Sequence, residues 1–290
     1  MVIFCRKKLY LCDLNVLFEM RELVTRTVFG AAVVAVIVVC VLLSPLSCAM
    51  LMLVVVAVGT FELCRMKKTD GNAVLVLSEL IVLSSYAIGA SYALGYVNAG
   101  VLWGLLPIAM LPFLVALFSE RYSFENVAST FYAALFFIAM PSVLMLMMYR
   151  GDIVGSFSGS QLLLVVYVTM WTNDTFAYLT GSLLGRHKLF ARISPGKTIE
   201  GCMGGLAVTV AAMCVYSFYT PALSMPKAVA LAVIGVVAGT LGDLCESMLK
   251  RQAGVKDSGK LIPGHGGVLD RFDSVLFATT FIFTFLVFAK

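Results

Sequence analysis

Long apolar runs alternate with short polar segments along the chain, and this alternation predicts membrane-spanning helices. A spanning helix needs about 20 largely apolar residues. Nine runs come close to that length, and residues typical of turns separate several of them, as at Ser44-Pro45 and Gly151-Asp152. The predicted spans are 28–43, 46–63, 74–94, 101–118, 128–148, 161–184, 203–219, 228–247 and 274–289. We therefore expect an all-α, polytopic fold, in which the short first and last spans extend by about a turn.

Composition also predicts a membrane location. Apolar residues make up 61% of the chain, charged residues 13%, and the mean hydropathy is +0.98. A soluble domain has about 25% charged residues, so the excess of apolar side chains requires lipid around the helices. Because no long polar insert is present, we predict a single integral membrane domain. Its N-terminal membrane region would cover 1–150, with about five helices, and its C-terminal region, 151–290, carries the polar motifs.

The basic residues predict the orientation. With nine spans and a cytoplasmic N-terminus, 18 of the 21 Lys and Arg residues lie in inside segments, and only Arg150, Lys227 and Lys290 lie outside. This bias follows the positive-inside rule. The net charge of +5 is thus explained by topology and by attraction to anionic lipid headgroups, and it does not indicate nucleic-acid binding.

The eight cysteines predict neither a disulfide framework nor a zinc site. No pair forms a C-x-x-C motif, and several cysteines lie inside apolar runs, where they act as small hydrophobes. The early basic residues Arg6, Lys7 and Lys8 are not followed promptly by an apolar core with a small-residue cleavage site. We therefore do not expect a removable signal peptide.

Segment 247–273 concentrates polar residues between two apolar runs. It holds five cations, three aspartates, one histidine and five glycines. Such a cluster is costly beside lipid unless it handles something charged. Just upstream lie Asp243 and Glu246, and their spacing of three and four residues to each other and to Lys250 places the three on one helix face.

Asp270 and Asp273 open the ninth span on the same side of the membrane. Two helices would thus present carboxylates at one depth, an arrangement that suits a hard cation such as Mg²⁺ with phosphate oxygens completing its shell. The alternative is that these carboxylates only pair with neighbouring lysines and arginines, as surface charges often do. The number and clustering of the carboxylates favour a metal site at Asp243, Asp270 and Asp273.

Glycines surround His265 in the same segment. Gly266 and Gly267 would let backbone N–H groups approach an anion closely, although a plain tight loop also explains Pro263-Gly264. For His265, a structural hydrogen bond and a catalytic role both remain open.

A second basic loop, 185–201, precedes the seventh span. Ser194, Lys197 and Glu200 lie in a pattern typical of a helix start. A helix N-terminus beside a lysine is a candidate phosphate-binding site. Asp174 lies inside the sixth span, so it is a functional candidate, with interhelical hydrogen bonding as the alternative.

Other features of the helices have simpler interpretations. Glu62 and Glu79 lie near span ends, where we expect them only to touch the interface. The G-x-x-x-G pairs that start at Gly181, Gly201 and Gly235 allow close helix packing, either within the bundle or at a homodimer seam.

The polar segment resembles the signature of phosphatidate cytidylyltransferases, also called CDP-diacylglycerol synthases. The resemblance rests on 27 residues and continues upstream over roughly 165–290. One departure is Gly196, where many relatives carry a lysine. The matching elements are Trp171 to Tyr178, Ser194 to Gly201, Gly242-Asp243, Ser247, Lys250-Arg251, Lys256-Asp257, Pro263, His265-Gly266-Gly267, Asp270-Arg271 and Asp273.

This resemblance implies transfer of CMP from CTP to phosphatidate, with Mg²⁺ and a further cation as candidate cofactors. Asp243 and Asp270 would be the main metal ligands and Asp273 a further one, with Lys250 and His265 also catalytic. The residues expected to bind substrate are Lys197, Arg251, Lys256, Arg271, Asp174, Ser194, Gly266 and Gly267. The expected location is a bacterial inner membrane, with the active site facing the cytoplasm.

Two rival functions remain. A polyprenol or phytol kinase, or a synthase acting on archaeal ether lipids, would share the architecture but lacks the full signature. A transporter would use Asp174 and Asp243 as a cation pathway. Transporters place such groups near the midplane, whereas the carboxylates of this chain crowd one interface.

Overall fold

The computed structural model describes residues 24–67, 72–118, 124–150, 158–220, 223–264 and 266–289. The segment 1–23 assessed for a signal peptide, the predicted turn at 151–152, and His265 lie outside these residues. The all-α prediction is confirmed, with one small hairpin added. The elements are α1 (Val24–Leu43), α2 (Pro45–Met66), α3 (Asn72–Ala93), a 3₁₀ helix (Ala99–Gly104), α4 (Leu105–Leu117), α5 (Phe124–Ala134), a π-helical segment (Leu135–Ala139), α6 (Met140–Tyr149), α7 (Gly159–Leu184), β1 (Lys188–Phe190), β2 (Ser194–Thr198), α8 (Ile199–Tyr219), α9 (Met225–Gln252) and α10 (Leu269–Phe288).

The turn predicted at Ser44-Pro45 is confirmed, and its local chemistry explains it. The Ser44 hydroxyl accepts a hydrogen bond from the Ser47 backbone N–H at 3.0 Å, and the Ser47 hydroxyl accepts from the Ser44 N–H at 3.0 Å. This reciprocal cap satisfies two N–H groups at the start of α2. Pro45 occupies the first helical turn, where its missing N–H costs nothing.

Eight apolar helices in the described part of the chain are long enough to span a bilayer. The remaining predicted span, 101–118, differs from them because it is a 3₁₀ turn followed by a 13-residue α4 that contains Pro112. The change from 3₁₀ to α geometry falls between Gly104 and Leu105, so this segment is not one continuous α-helix.

Side-chain contacts show which helix ends lie together. The Tyr149 hydroxyl donates to the Val41 carbonyl at 2.8 Å, and the Arg150 guanidinium donates to the Tyr92 carbonyl at 3.1 Å. The C-terminal ends of α1, α3 and α6 are therefore at one end of the bundle. At the other end, the Lys67 ammonium donates to the Ser129 hydroxyl at 2.8 Å, which joins the end of α2 to the start of α5.

The short α4 segment must consequently return the chain across the bundle, from the end of α3 to the start of α5. A six-residue 3₁₀ helix and a 13-residue α-helix together rise roughly 30 Å, about the thickness of the hydrocarbon core. Within the described residues, the chain thus passes nine times between the two ends. The N-terminal end of α1 lies with the end of α2, since Arg26 contacts Gly264 of the loop before α10.

Glycines bring α7, α8, α9 and α10 close together. A Cβ added to Gly201 of α8 would lie 2.7 Å from the Ala177 carbonyl of α7, and one added to Gly242 of α9 would lie 2.9 Å from the Asp273 carbonyl of α10. Close helix packing requires the absence of these methyl groups. The Gly201 contact lies within the bundle, so helix packing inside one chain accounts for that motif.

The loop between α7 and α8 forms a β-hairpin that the sequence interpretation did not include. Antiparallel β1 and β2 pair Lys188 with Thr198 and Phe190 with Ser194. The predicted helix start is confirmed just after β2, because the Thr198 hydroxyl accepts a hydrogen bond from the Gly201 N–H at 3.1 Å and caps α8.

Candidate functional site

Three carboxylates from two helices form a compact group, which we call the acidic cluster: Asp243 and Glu246 of α9, and Asp273 of α10. Each offers one oxygen within 4.8 Å of the others. The Glu246 side chain is fully buried, and Asp273 is only 6% exposed. Like charges so close together repel one another unless cations offset them, so the cluster has the electrostatic character of a cation site.

Local structure brings the cluster together. The spacing predicted for Asp243, Glu246 and Lys250 does place them on one face of α9, where Lys250 pairs with Glu246. Gly242 lets α10 approach closely enough to add Asp273. The Lys250 ammonium also donates to Asp270 at 2.6 Å, so it links the cluster to the start of α10.

The residues of the cluster fit a divalent cation. Both Glu246 carboxylate oxygens are buried and accept no hydrogen bond of ordinary geometry, which leaves the ion pair with Lys250 as their charged contact among the described residues. Within the described part of the chain, Asp273 accepts only from Ser274, through its N–H at 2.6 Å and its hydroxyl at 3.3 Å. An all-oxygen set with spare acceptor capacity is what Mg²⁺ prefers.

Asp270 differs from these three residues because protein donors surround its carboxylate. One oxygen accepts from Lys250, and the other accepts from the Ser258 N–H at 3.0 Å, the Ser258 hydroxyl at 2.9 Å and the Gly267 N–H at 2.7 Å. The structure thus places Asp270 beside the acidic cluster, where it fastens the loop that precedes α10. We call residues 253–268 the signature loop.

Glu62 was expected only to touch the interface, and that prediction is wrong. Its carboxylate is 4% exposed and accepts hydrogen bonds from the Val268 N–H at 3.0 Å, the Leu269 N–H at 2.9 Å and the Ser258 hydroxyl at 3.1 Å. The signal that could have indicated this role is an acidic residue inside an apolar run, the same criterion that identified Asp174.

Close packing around Glu62 explains two glycines of the signature loop. A side chain at Gly259 or at Gly267 would collide with the Glu62 carboxylate. Gly266 adopts a φ of 83°, a conformation that favours glycine. The Gly267 N–H, predicted to face a bound anion, donates to Asp270.

One cavity at this end of the bundle lies under the hairpin, and we call it the hairpin cavity. Its volume is about 420 Å³, and its lining includes Asp174, Ser194, Lys197 and Asp243. Lys197 of β2 forms an ion pair with Asp243 of α9. The hairpin therefore brings a cation directly over one member of the acidic cluster.

The second cavity, which we call the α1 cavity, has a volume of about 210 Å³. Val33, Val34 and Ile37 of α1 line one part of it, and polar residues of α7 and α10 line another. Because α1 is largely exposed on the outside of the bundle, this cavity borders the region where lipid would lie. Its polar lining is Asp174, Asp270, Arg271, Asp273 and Ser274.

The other predicted site residues have simple positions. The Arg251 guanidinium donates to the Ile193 carbonyl at 3.3 Å and so ties α9 to the hairpin turn. Lys256 is exposed on the signature loop, and Arg271 is exposed at the α1 cavity. The structure thus brings together Asp174, Ser194, Lys197, Asp243 and Asp273 around the two cavities, while Asp270 and Lys250 connect them to the signature loop.

Comparisons with known proteins identify the family of the chain. The sequence model of the cytidylyltransferase family matches residues 24–289. A phosphatidate cytidylyltransferase of Staphylococcus haemolyticus is 46% identical over 120 residues, and one of Staphylococcus aureus is 45% identical over 121 residues. In both cases the match covers 41% of this chain and 46% of the relative, so it spans less than half the length of each.

Proposed function

Because this chain belongs to the cytidylyltransferase family, we propose that it transfers CMP from CTP to phosphatidate, giving CDP-diacylglycerol and pyrophosphate. The observation that carries the proposal is the acidic cluster between two cavities of different character. The hairpin cavity suits a water-borne nucleotide, and the α1 cavity suits a lipid headgroup with its chains toward the membrane. Asp174 lines both cavities, so the two substrates would meet beside it.

The reaction needs little covalent help from the protein. A phosphate monoester carries a charge of about −1.5 to −2 at neutral pH, so a phosphatidate oxygen is already nucleophilic. That oxygen forms a bond to the α-phosphorus of CTP. The bond from the α-phosphorus to the bridging oxygen breaks, and pyrophosphate leaves with the electron pair. The protein must therefore hold two anions together, in line, and stabilise the departing charge.

The cations of the site match this task. Lys197 reaches the hairpin cavity, where it would hold CTP phosphates, and Arg271 at the α1 cavity would hold the phosphatidate headgroup. Asp243, Glu246 and Asp273 would hold Mg²⁺. When bound, such a cation offsets phosphate charge and favours the departure of pyrophosphate. A second cation beside Asp174 remains a prediction.

The charge distribution supports a cytoplasmic site. Among the described residues, the end of the bundle that carries the site also carries twelve lysines and arginines, and the opposite end has Arg150 and Lys227. The positive-inside rule then orients the site toward the cytoplasm, where CTP is available. A bacterial inner membrane fits this orientation. The twelve residues are Arg26, Arg65, Lys67, Arg186, Lys188, Arg192, Lys197, Lys250, Arg251, Lys256, Lys260 and Arg271.

The test uses purified protein in vesicles with phosphatidate, Mg²⁺ and CTP labelled at either the α- or the γ-phosphate. We expect label from the α-position to enter lipid, and chromatography separates this lipid from labelled CMP formed by hydrolysis of CTP. Label entering lipid only from the γ-position would indicate a kinase and contradict the proposal. No transfer from either position would also contradict it and would favour transport.

A further inference from the structure

Glu62 joins two parts of the molecule that are far apart in sequence. It lies on α2, yet its carboxylate is buried within the signature loop, about 200 residues later. Burying a carboxylate is costly unless several donors satisfy it. Three donors do so here, and all belong to the signature loop or to the first residue of α10.

The two backbone donors show what Glu62 does for α10. The first N–H groups of a helix have no partner within the helix, and a side chain just before the helix usually caps them. Val268, at the cap position of α10, provides no side-chain hydrogen bond. Glu62 replaces that cap from a different helix, and its negative charge also complements the positive end of the α10 dipole.

Ser258 extends the contact toward the acidic cluster. Its hydroxyl lies 3.1 Å from a Glu62 oxygen and 2.9 Å from an Asp270 oxygen, and its N–H also donates to Asp270. Asp270 in turn accepts from Lys250, which pairs with Glu246. A continuous path of polar contacts therefore runs from α2 to the acidic cluster.

We propose that Glu62 is a positioning residue for the transfer reaction: it fixes the signature loop and the start of α10, and thereby the register of Asp270, Lys250 and the acidic cluster. This inference rests on the proposed function for its catalytic consequence, while its structural part concerns the loop alone. Glu62 contacts neither cavity, so its loss disturbs the geometry of the reacting groups more than the binding of CTP.

Substitutions at position 62 test whether the Glu62 side chain positions the signature loop or only fills space. Glu62→Ala leaves two backbone N–H groups without an acceptor, and we expect kcat to fall about 10- to 100-fold, as for other residues that orient a site indirectly, with a much smaller change in KM for CTP. Glu62→Gln keeps an acceptor oxygen and can donate to Ser258, so its loss of kcat should be smaller. Glu79→Ala, which removes a half-buried carboxylate from α3, is the matched control.

Hydrogen exchange measured by mass spectrometry gives a readout that does not depend on activity. In Glu62→Ala, exchange should rise in peptides covering 258–269 and stay unchanged in α7, whereas Glu79→Ala should leave the signature loop protected. If Glu62→Ala does not accumulate, Glu62→Gln and Ser258→Ala carry the test. Their effects on kcat should then be non-additive in the double variant, because both act on the same path.

The outcomes distinguish this inference from the proposed function. Wild-type protein that transfers no CMP overturns the proposed function, and exchange in the signature loop still decides whether Glu62 holds it. Active wild-type protein together with normal kcat and normal exchange in Glu62→Ala overturns the inference. A rise in KM for CTP with unchanged kcat would also overturn it, since that result would indicate a binding role.

Discussion

The acidic cluster and the signature loop lie side by side, but the carboxylates of the cluster and those that hold the loop differ in how many hydrogen bonds they accept. Glu62 of α2 and Asp270 of α10, which hold the signature loop, accept two and three hydrogen bonds from other donors and share the single proton of the Ser258 hydroxyl. Among the residues that the structure describes, Glu246 has only its ion pair with Lys250, and Asp273 accepts only from its neighbour Ser274. Since buried polar groups are normally satisfied, we assign the first pair to the fold and propose the second pair as ligands of a cation.

The largest expected effect comes from neutralising the acidic cluster. In Asp243→Asn and in Asp273→Asn, we expect transfer of CMP to phosphatidate to fall by at least about 100-fold, because each change removes a negative charge where a cation would bind. The measurement is label incorporation from CTP into lipid at matched protein amounts in vesicles. Glu125→Gln, a change at an exposed glutamate near the start of α5 and outside the signature, is the control. Normal activity in either cluster variant would contradict the metal assignment.

Stability should separate the two kinds of carboxylate. Asp270→Asn replaces an acceptor with an amide that cannot satisfy Lys250, Ser258 and Gly267 together, so we expect a loss of about 1–3 kcal/mol in the free energy of unfolding. Asp273→Asn keeps an oxygen for Ser274 and removes charge repulsion, so its stability should be unchanged or higher. Thermal unfolding of both variants in detergent, without added divalent cation, makes the comparison.

The opposite order, with Asp273→Asn the less stable variant, would show that Asp273 serves the fold and Asp270 the ligand. The sequence interpretation treated Asp243 and Asp270 as the main metal ligands and Asp273 as a further one, and this pair of variants decides whether Asp270 belongs with the ligands. It therefore tests the contrast between the two regions directly.

A smaller effect is expected at the hairpin. Lys197 lines the hairpin cavity, so Lys197→Gln should raise KM for CTP by about 10-fold, the value of one charge-assisted hydrogen bond, with little change in KM for phosphatidate. Lys188→Gln, on the same hairpin but not part of the cavity lining, should leave both constants unchanged. Equal effects of the two changes would indicate a general attraction of the basic hairpin for CTP instead of a specific contact.

The same contrast explains how much could be predicted from the sequence. The spans could be predicted from the length of the apolar runs, and the grouping of Asp243, Glu246 and Lys250 from helical periodicity. The contacts of Glu62 depend on how α2 packs against a loop about 200 residues later. No local sequence pattern predicts a contact between residues so far apart in the chain. The hairpin was missed because Ser194, Pro195 and Gly196 are typical of a turn. They form a strand because this segment pairs with residues 188–190.

The smallest expected effect concerns the lipid side of the site. Arg271 is exposed at the α1 cavity, where water and salt weaken its attraction for a phosphate, so Arg271→Gln should raise KM for phosphatidate only about 3-fold. Lys260→Gln, an exposed change on the signature loop away from both cavity linings, should have no effect. Raising the salt concentration should reduce the difference between wild type and Arg271→Gln. A change confined to KM for CTP would instead place the nucleotide, and not the lipid, in the α1 cavity.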